Sequence, residues 1–170
     1  VAWGFTAVKF DPVGPYTAFD PRQLSQDSLD RSERFVKALR EAVGTDADLL
    51  FGTHGQFTPS GAIRLAQQLE PYDPLWFEEP VPPESIAAVA DVRRHSPVPI
   101  ATGERVFTKW GFREVLEKGA ASILQPDLCH AGGITEVRLI AGMAEAYYAA
   151  TAPHNPLGPI SLAAGVQLAA

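Results

Sequence analysis

Six positions carry side chains from which acid–base chemistry is built: Lys9, His54, Glu78, Glu104, Asp127 and His154. From Glu78 to Glu104, to Asp127 and to His154 the intervals are 26, 23 and 27 residues, a length that holds one short strand and one helix. A regular alternation of that kind gathers all strand ends on one face of an α/β fold, where active sites sit. Carboxylates and histidines collected there suit removal of a proton alpha to a carboxylate. That step is hard because the carbanion places a second negative charge on the same carboxyl group, and a divalent cation relieves it directly. Glu78 and Glu104 offer the hard oxygen ligands that Mg2+ prefers. His154 is the natural base, and Asp127, one unit earlier, is suited to fix its tautomer.

The elements that must position these residues show in the hydropathy pattern. Short apolar runs at 5–9, 48–53, 75–79, 100–104, 121–127 and 147–154 predict strands, the last only in part. Amphipathic stretches at 29–43, 59–69, 84–95, 109–119, 133–146 and 159–169 predict the intervening helices. In the first of these, Val36, Leu39 and Val43 share one face, and Gly44 supplies a stop. Thr58 and Pro59 are suited to the N-cap and first position of the second. Pro126 and Pro153 mark strand exits, and the proline- and glycine-rich stretch 11–21 reads as one long loop on the functional face. Six βα repeats predict a parallel sheet. At 170 residues the chain is short of the roughly 250 of a complete (β/α)8 barrel, so the expectation is an α/β, partial TIM-like (β/α)7β barrel, about strands two to seven.

Bulk properties exclude several classes. Hydrophobic residues make up 46% and charged residues 20%, with three Trp and nine Phe, enough to bury a core. The net charge of −6, with no basic run, argues against a nucleic-acid partner, and no apolar run approaches the roughly 20 residues of a membrane span. The single cysteine, Cys129, cannot form an internal disulfide, which makes a cytoplasmic location the default. Cys129 itself reads as a small buried residue beside a turn, Trp76 and Phe77 as core, His95 as surface, and His130 as a residue able to line the site.

The strings Trp76-Phe77-Glu78-Glu79-Pro80, Thr102-Gly103-Glu104-Arg105, Gln125-Pro126-Asp127, Ala131-Gly132-Gly133-Ile134 and Ala152-Pro153-His154-Asn155-Pro156 together resemble the mandelate-racemase branch of the enolase superfamily. Thr53-His54-Gly55 and the run from Pro153 to Pro159 are most similar to galactonate dehydratases and related sugar-acid enzymes. The resemblance covers essentially the whole chain and implies one C-terminal catalytic barrel domain over 1–170, without its capping domain. A barrel so cut is expected to expose two sheet edges and to aggregate. It further implies a hydro-lyase acting on a small sugar acid, with Mg2+ on Glu78 and Glu104, and substrate held by Glu104, His154 and His54. His154 would take the C2 proton and His54 would protonate the departing C3 hydroxyl, giving a 2-keto-3-deoxy acid. Lys9 would sit near the substrate carboxylate. A second lysine of the family pattern falls on Asp11, which disfavours two-base racemisation. The full-length protein is expected to be a homo-oligomer. Two alternatives stay open, an anhydro-sugar-acid cycloisomerase and a non-catalytic homologue. One departure stands out: the family's first metal ligand falls on Gly52, so that His54 or water is expected to complete the coordination.

Overall fold

The computed structural model describes residues 3–14 and 23–170. Residues 15–21 of the loop expected over 11–21 therefore lie outside the described residues. Six strands, β1 Ala7–Phe10, β2 Asp48–Gly52, β3 Pro74–Glu78, β4 Ile100–Thr102, β5 Ile123–Leu124 and β6 Ala150–Thr151, form one sheet in chain order. Every pairing is parallel. Between and after them run the helices α1 Gln26–Val43, α2 Pro59–Leu69, α3 Ile86–His95, α4 Thr108–Glu117, α5 Leu128–Ala131, α6 Gly133–Ala146 and α7 Pro159–Ala169, and a short 3-10 turn, Glu70–Tyr72, follows α2. Sequential order with parallel crossovers is the arrangement of a barrel sector, because right-handed connections then lay all helices on one side. Among the described residues the sheet does not close, and β1 and β6 are its edges.

Strand alternation decides what faces the helices. Phe10, Phe51 and Phe77 pair in register across β1, β2 and β3, with ring centroids 6.3 and 4.4 Å apart. Phe51 and Phe77 are fully buried, as are Leu49, Ile100 and Leu124. Helix residues Leu65, Leu69, Val92, Phe112 and Ile140 meet them in the same core. Each such side chain contributes about 1.5–3 kcal/mol on burial. The opposite sheet face carries Lys9, Leu50 and Trp76 in one register row and Gly52 with Glu78 in the next. Phe77 is core as expected, whereas Trp76 is half-buried.

Helix boundaries follow local capping more closely than apolar spacing. The Ser25 hydroxyl accepts from the Ser28 amide and starts α1 three residues before the expected 29, because its first turn is polar and invisible to hydropathy. Thr58 caps α2 as expected, and Ser85 caps α3. The strands expected at 121–127 and 147–154 form a ladder only at Ile123–Leu124 and Ala150–Thr151, with one isolated bridge beyond it at Asp127 and His154. Tyr147 and Tyr148 instead finish α6, their amides bonded to the Ala144 and Glu145 carbonyls. The single helical turn α5 was not legible as an element, and it leaves Cys129 exposed rather than buried.

Candidate active site

Past the paired ends of β5 and β6, Asp127 and His154 meet in an isolated parallel bridge. Asp127 is fully buried, and its Oδ1 accepts from the Cys129 amide at 2.7 Å, capping α5. Its other oxygen, Oδ2, lies 2.9 Å from His154 Nδ1. On the far side of the ring, His154 Nε2 stands 3.2 Å from Glu104 Oε2. The imidazole is thus held between two carboxylates, as a base with an orienting partner requires. Glu104 reaches it because the chain before it is a glycine. At Gly103 φ is 146°, and a Cβ there would lie 2.8 Å from the Gln125 backbone and 2.9 Å from the Phe112 ring. Only glycine lets the ends of β4 and β5 approach so closely.

Glu78 ends β3 beside Gly52 and is buried. Lys9 Nζ donates to its Oε1 at 2.5 Å and Gln125 Nε2 donates to its Oε2 at 2.5 Å. Lys9 remains 46% exposed, so its ammonium bridges the buried carboxylate and the open face. An open cleft of about 370 Å3 is lined by Lys9, Trp76, Gln125, His154 and Asn155 among others. Trp76 Nε1, Gln125 Oε1 and Asn155 Oδ1 are buried polar atoms without a hydrogen-bond partner among the described residues.

A second ion pair, which the sequence did not single out, stands beside this cluster. Glu79 is 1% exposed with φ 44°, and Arg105 clasps it through Nε at 2.9 Å and Nη2 at 2.8 Å. Burial pushes the Glu79 carboxyl above its ordinary value, and the Arg105 hydrogen bond opposes that. Arg105 Nη2 also donates to the His54 carbonyl at 3.0 Å, tying the loops after β2, β3 and β4 together. The adjacent charges Glu78-Glu79 and Glu104-Arg105 were the available signal.

The structure brings together Lys9 with Glu78, and Glu104 and Asp127 with His154. It does not bring His54 into either group. His54 sits exposed in a left-handed turn at φ 50°, and its ring makes no hydrogen bond among the described residues. His130 Nδ1 lies 3.2 Å from the Glu104 carbonyl, which places it at the rim, and His95 is exposed on α3, as expected.

These donors do not fit a hard divalent cation. Among the described residues, no three His, Cys, Asp or Glu side chains are placed to hold a metal ion. Gly52 offers no side-chain ligand atom, both Glu78 oxygens already accept hydrogen bonds, and Glu104 Oε2 stands 3.2 Å from His154 Nε2. Of the expected set, Glu78, Glu104 and a third ligand from His54 or water, His54 lies outside both groups.

A family model described as enolase C-terminal domain-like matches residues 1–170. The chain is 42% identical over 170 residues to a D-xylonate dehydratase of Haloferax volcanii, covering 98% of this chain and 41% of that protein. It is 49% identical over 137 residues to a D-galactonate dehydratase of Ralstonia pickettii, covering 81% and 36%. Among solved structures, a mandelate racemase/muconate lactonizing enzyme-like protein from a Roseovarius species superposes with a TM-score of 0.95 at 55% identity, covering 99% of this chain and 42% of that one. A mandelate racemase/muconate lactonizing enzyme from a Jannaschia species gives 0.93 at 53%, covering 98% and 43%. The chain spans about two fifths of the length of the curated relatives it matches.

Proposed function

The chain belongs to the enolase superfamily, in its C-terminal domain-like family, and from that premise we propose that the protein carrying it is a hydro-lyase that dehydrates a sugar acid. The observation that carries this reading is the placement of His154 between Asp127 and Glu104 beside a cleft into which Lys9 projects. The dehydratases named among its relatives support the substrate class.

In a neutral His154 whose Nδ1–H is donated to Asp127, the Nε2 lone pair is free to act as base. It takes the C2 proton of the bound acid, and the electron pair passes into the C1–C2 enediolate. The enediolate then expels the C3 hydroxyl, which leaves as water with a proton supplied by His54. The resulting enol ketonises to a 2-keto-3-deoxy acid. Glu104 accepts the new Nε2–H, so both N–H groups of the imidazolium are matched by carboxylates. Lys9, which has three donors and gives one to Glu78, has others for the substrate carboxylate. The described residues do not assemble a ligand set for the Mg2+ that the resemblance implies.

Full-length protein incubated with a panel of sugar acids, with products identified by NMR and mass, tests this. Loss of one water with a keto-deoxy product is expected. A rearranged product of unchanged mass would make it a cycloisomerase, and no turnover across the panel would favour a non-catalytic role.

A further inference from the structure

We infer that the Lys9 ammonium is the resident positive charge of the Glu78 pocket, and that this site works on an internal cation where a divalent metal was expected. In the β2–β3 register Gly52 is the residue beside Glu78, and it has no side chain to share a cation. The space is also tight, since a Cβ at Gly52 would already stand 3.3 Å from the Glu78 Cβ. Both Glu78 oxygens are taken, one by the Lys9 ammonium and the other by the Gln125 amide. A metal at Glu78 would have to displace the Lys9 ammonium, or displace the Gln125 amide and endure the ammonium's charge.

The second carboxylate stands against the imidazole, with Glu104 Oε2 3.2 Å from His154 Nε2. Mg2+ demands near-octahedral oxygen ligation and releases water reluctantly, so a carboxylate with both oxygens already taken is a poor start. Lys9 supplies what those carboxylates otherwise lack. It is a compact point charge with donors to spare, it neutralises a buried carboxylate, and it stays 46% exposed toward the cleft. Charge developing on a bound carboxylate then meets an ammonium fixed by Glu78. The inference concerns the site proposed above but rests on no particular substrate. A protein that turned over no sugar acid would still show it, so the two readings fail separately.

The test is a Mn2+ titration followed by electron paramagnetic resonance on metal-stripped full-length protein, with Glu78→Gln, Lys9→Arg, Lys9→Met and Gly52→Asp/Lys9→Met alongside. Wild type and Lys9→Arg should give the same Mn2+ isotherm as Glu78→Gln. The double variant should bind at least about tenfold more tightly. Saturable binding by wild type that Glu78→Gln abolishes would overturn the inference, as would such binding by Lys9→Arg. A double variant folded by circular dichroism that gains no Mn2+ would also overturn it. If the double variant does not fold, Lys9→Met takes its place, and no gain there counts against the inference in the same way.

Discussion

His154 satisfies both of its carboxylate neighbours only when both ring nitrogens carry protons, which is the state it reaches after taking one from a substrate. Before that, one N–H must choose, and the buried Asp127 at 2.9 Å is the closer acceptor. Asp127→Asn isolates this effect. The amide oxygen still caps α5 through the Cys129 amide, so the fold should hold, while the orienting carboxylate is lost. We expect kcat to fall by about 10^2- to 10^4-fold with little change in thermal midpoint; a fall below about threefold would show that Asp127 does not orient the base. The dyad was legible in the sequence because each member stands alone at a strand end. The Lys9–Glu78 and Glu79–Arg105 pairings were not, because they join residues 69 and 26 positions apart whose meeting depends on register.

Two brace contacts between elements carry measurable weight. Phe107, at the N-cap of α4, offers no capping side chain, and Glu136 of α6 serves instead, accepting from the Lys109 amide at 2.8 Å and facing its ammonium. The Lys109 backbone hydrogen bond holds the Glu136 carboxyl below its ordinary value of 4.5. The folded chain therefore binds that proton less readily than the unfolded one. The stabilisation is present above the ordinary value and is lost as pH falls through the lower folded value. Glu136→Ala should lower the thermal midpoint at neutral pH, and the gap from wild type should close in acid; a gap independent of pH would rule out the carboxylate as its source. Arg105→Ala should leave Glu79 buried and unpaired. A fully buried pair so broken costs about 3–5 kcal/mol, and because Arg105 is 42% exposed we expect about 2 kcal/mol, read from denaturant midpoints. A loss under about 0.5 kcal/mol would mean the clasp is not structural. Helix and strand cores were legible from periodicity, while ends set by local hydrogen bonds, the Ser25 side chain at α1 or the Tyr147 and Tyr148 amides closing α6, were displaced by a few residues.

For the whole molecule, the βα rhythm foretold a parallel sheet in chain order, because crossover handedness leaves that topology few rivals. Among the described residues β1 and β6 pair on one side only, and Trp3, Phe5 and Ile160 are 90%, 66% and 86% exposed. These 170 residues expressed alone should self-associate, seen as a concentration-dependent mass by light scattering; a stable monomer at high concentration would contradict that. The relatives matched are more than twice as long, so activity is a matter for full-length protein. The central claim is that His154 removes the proton alpha to a carboxylate. Its most direct test is solvent exchange in deuterium oxide, with NMR of the C2 proton of a sugar acid that the full-length protein accepts. Wild type should exchange or eliminate that proton, and His154→Asn, folded by circular dichroism, should do neither. Unchanged exchange in the variant would remove His154 from the base role.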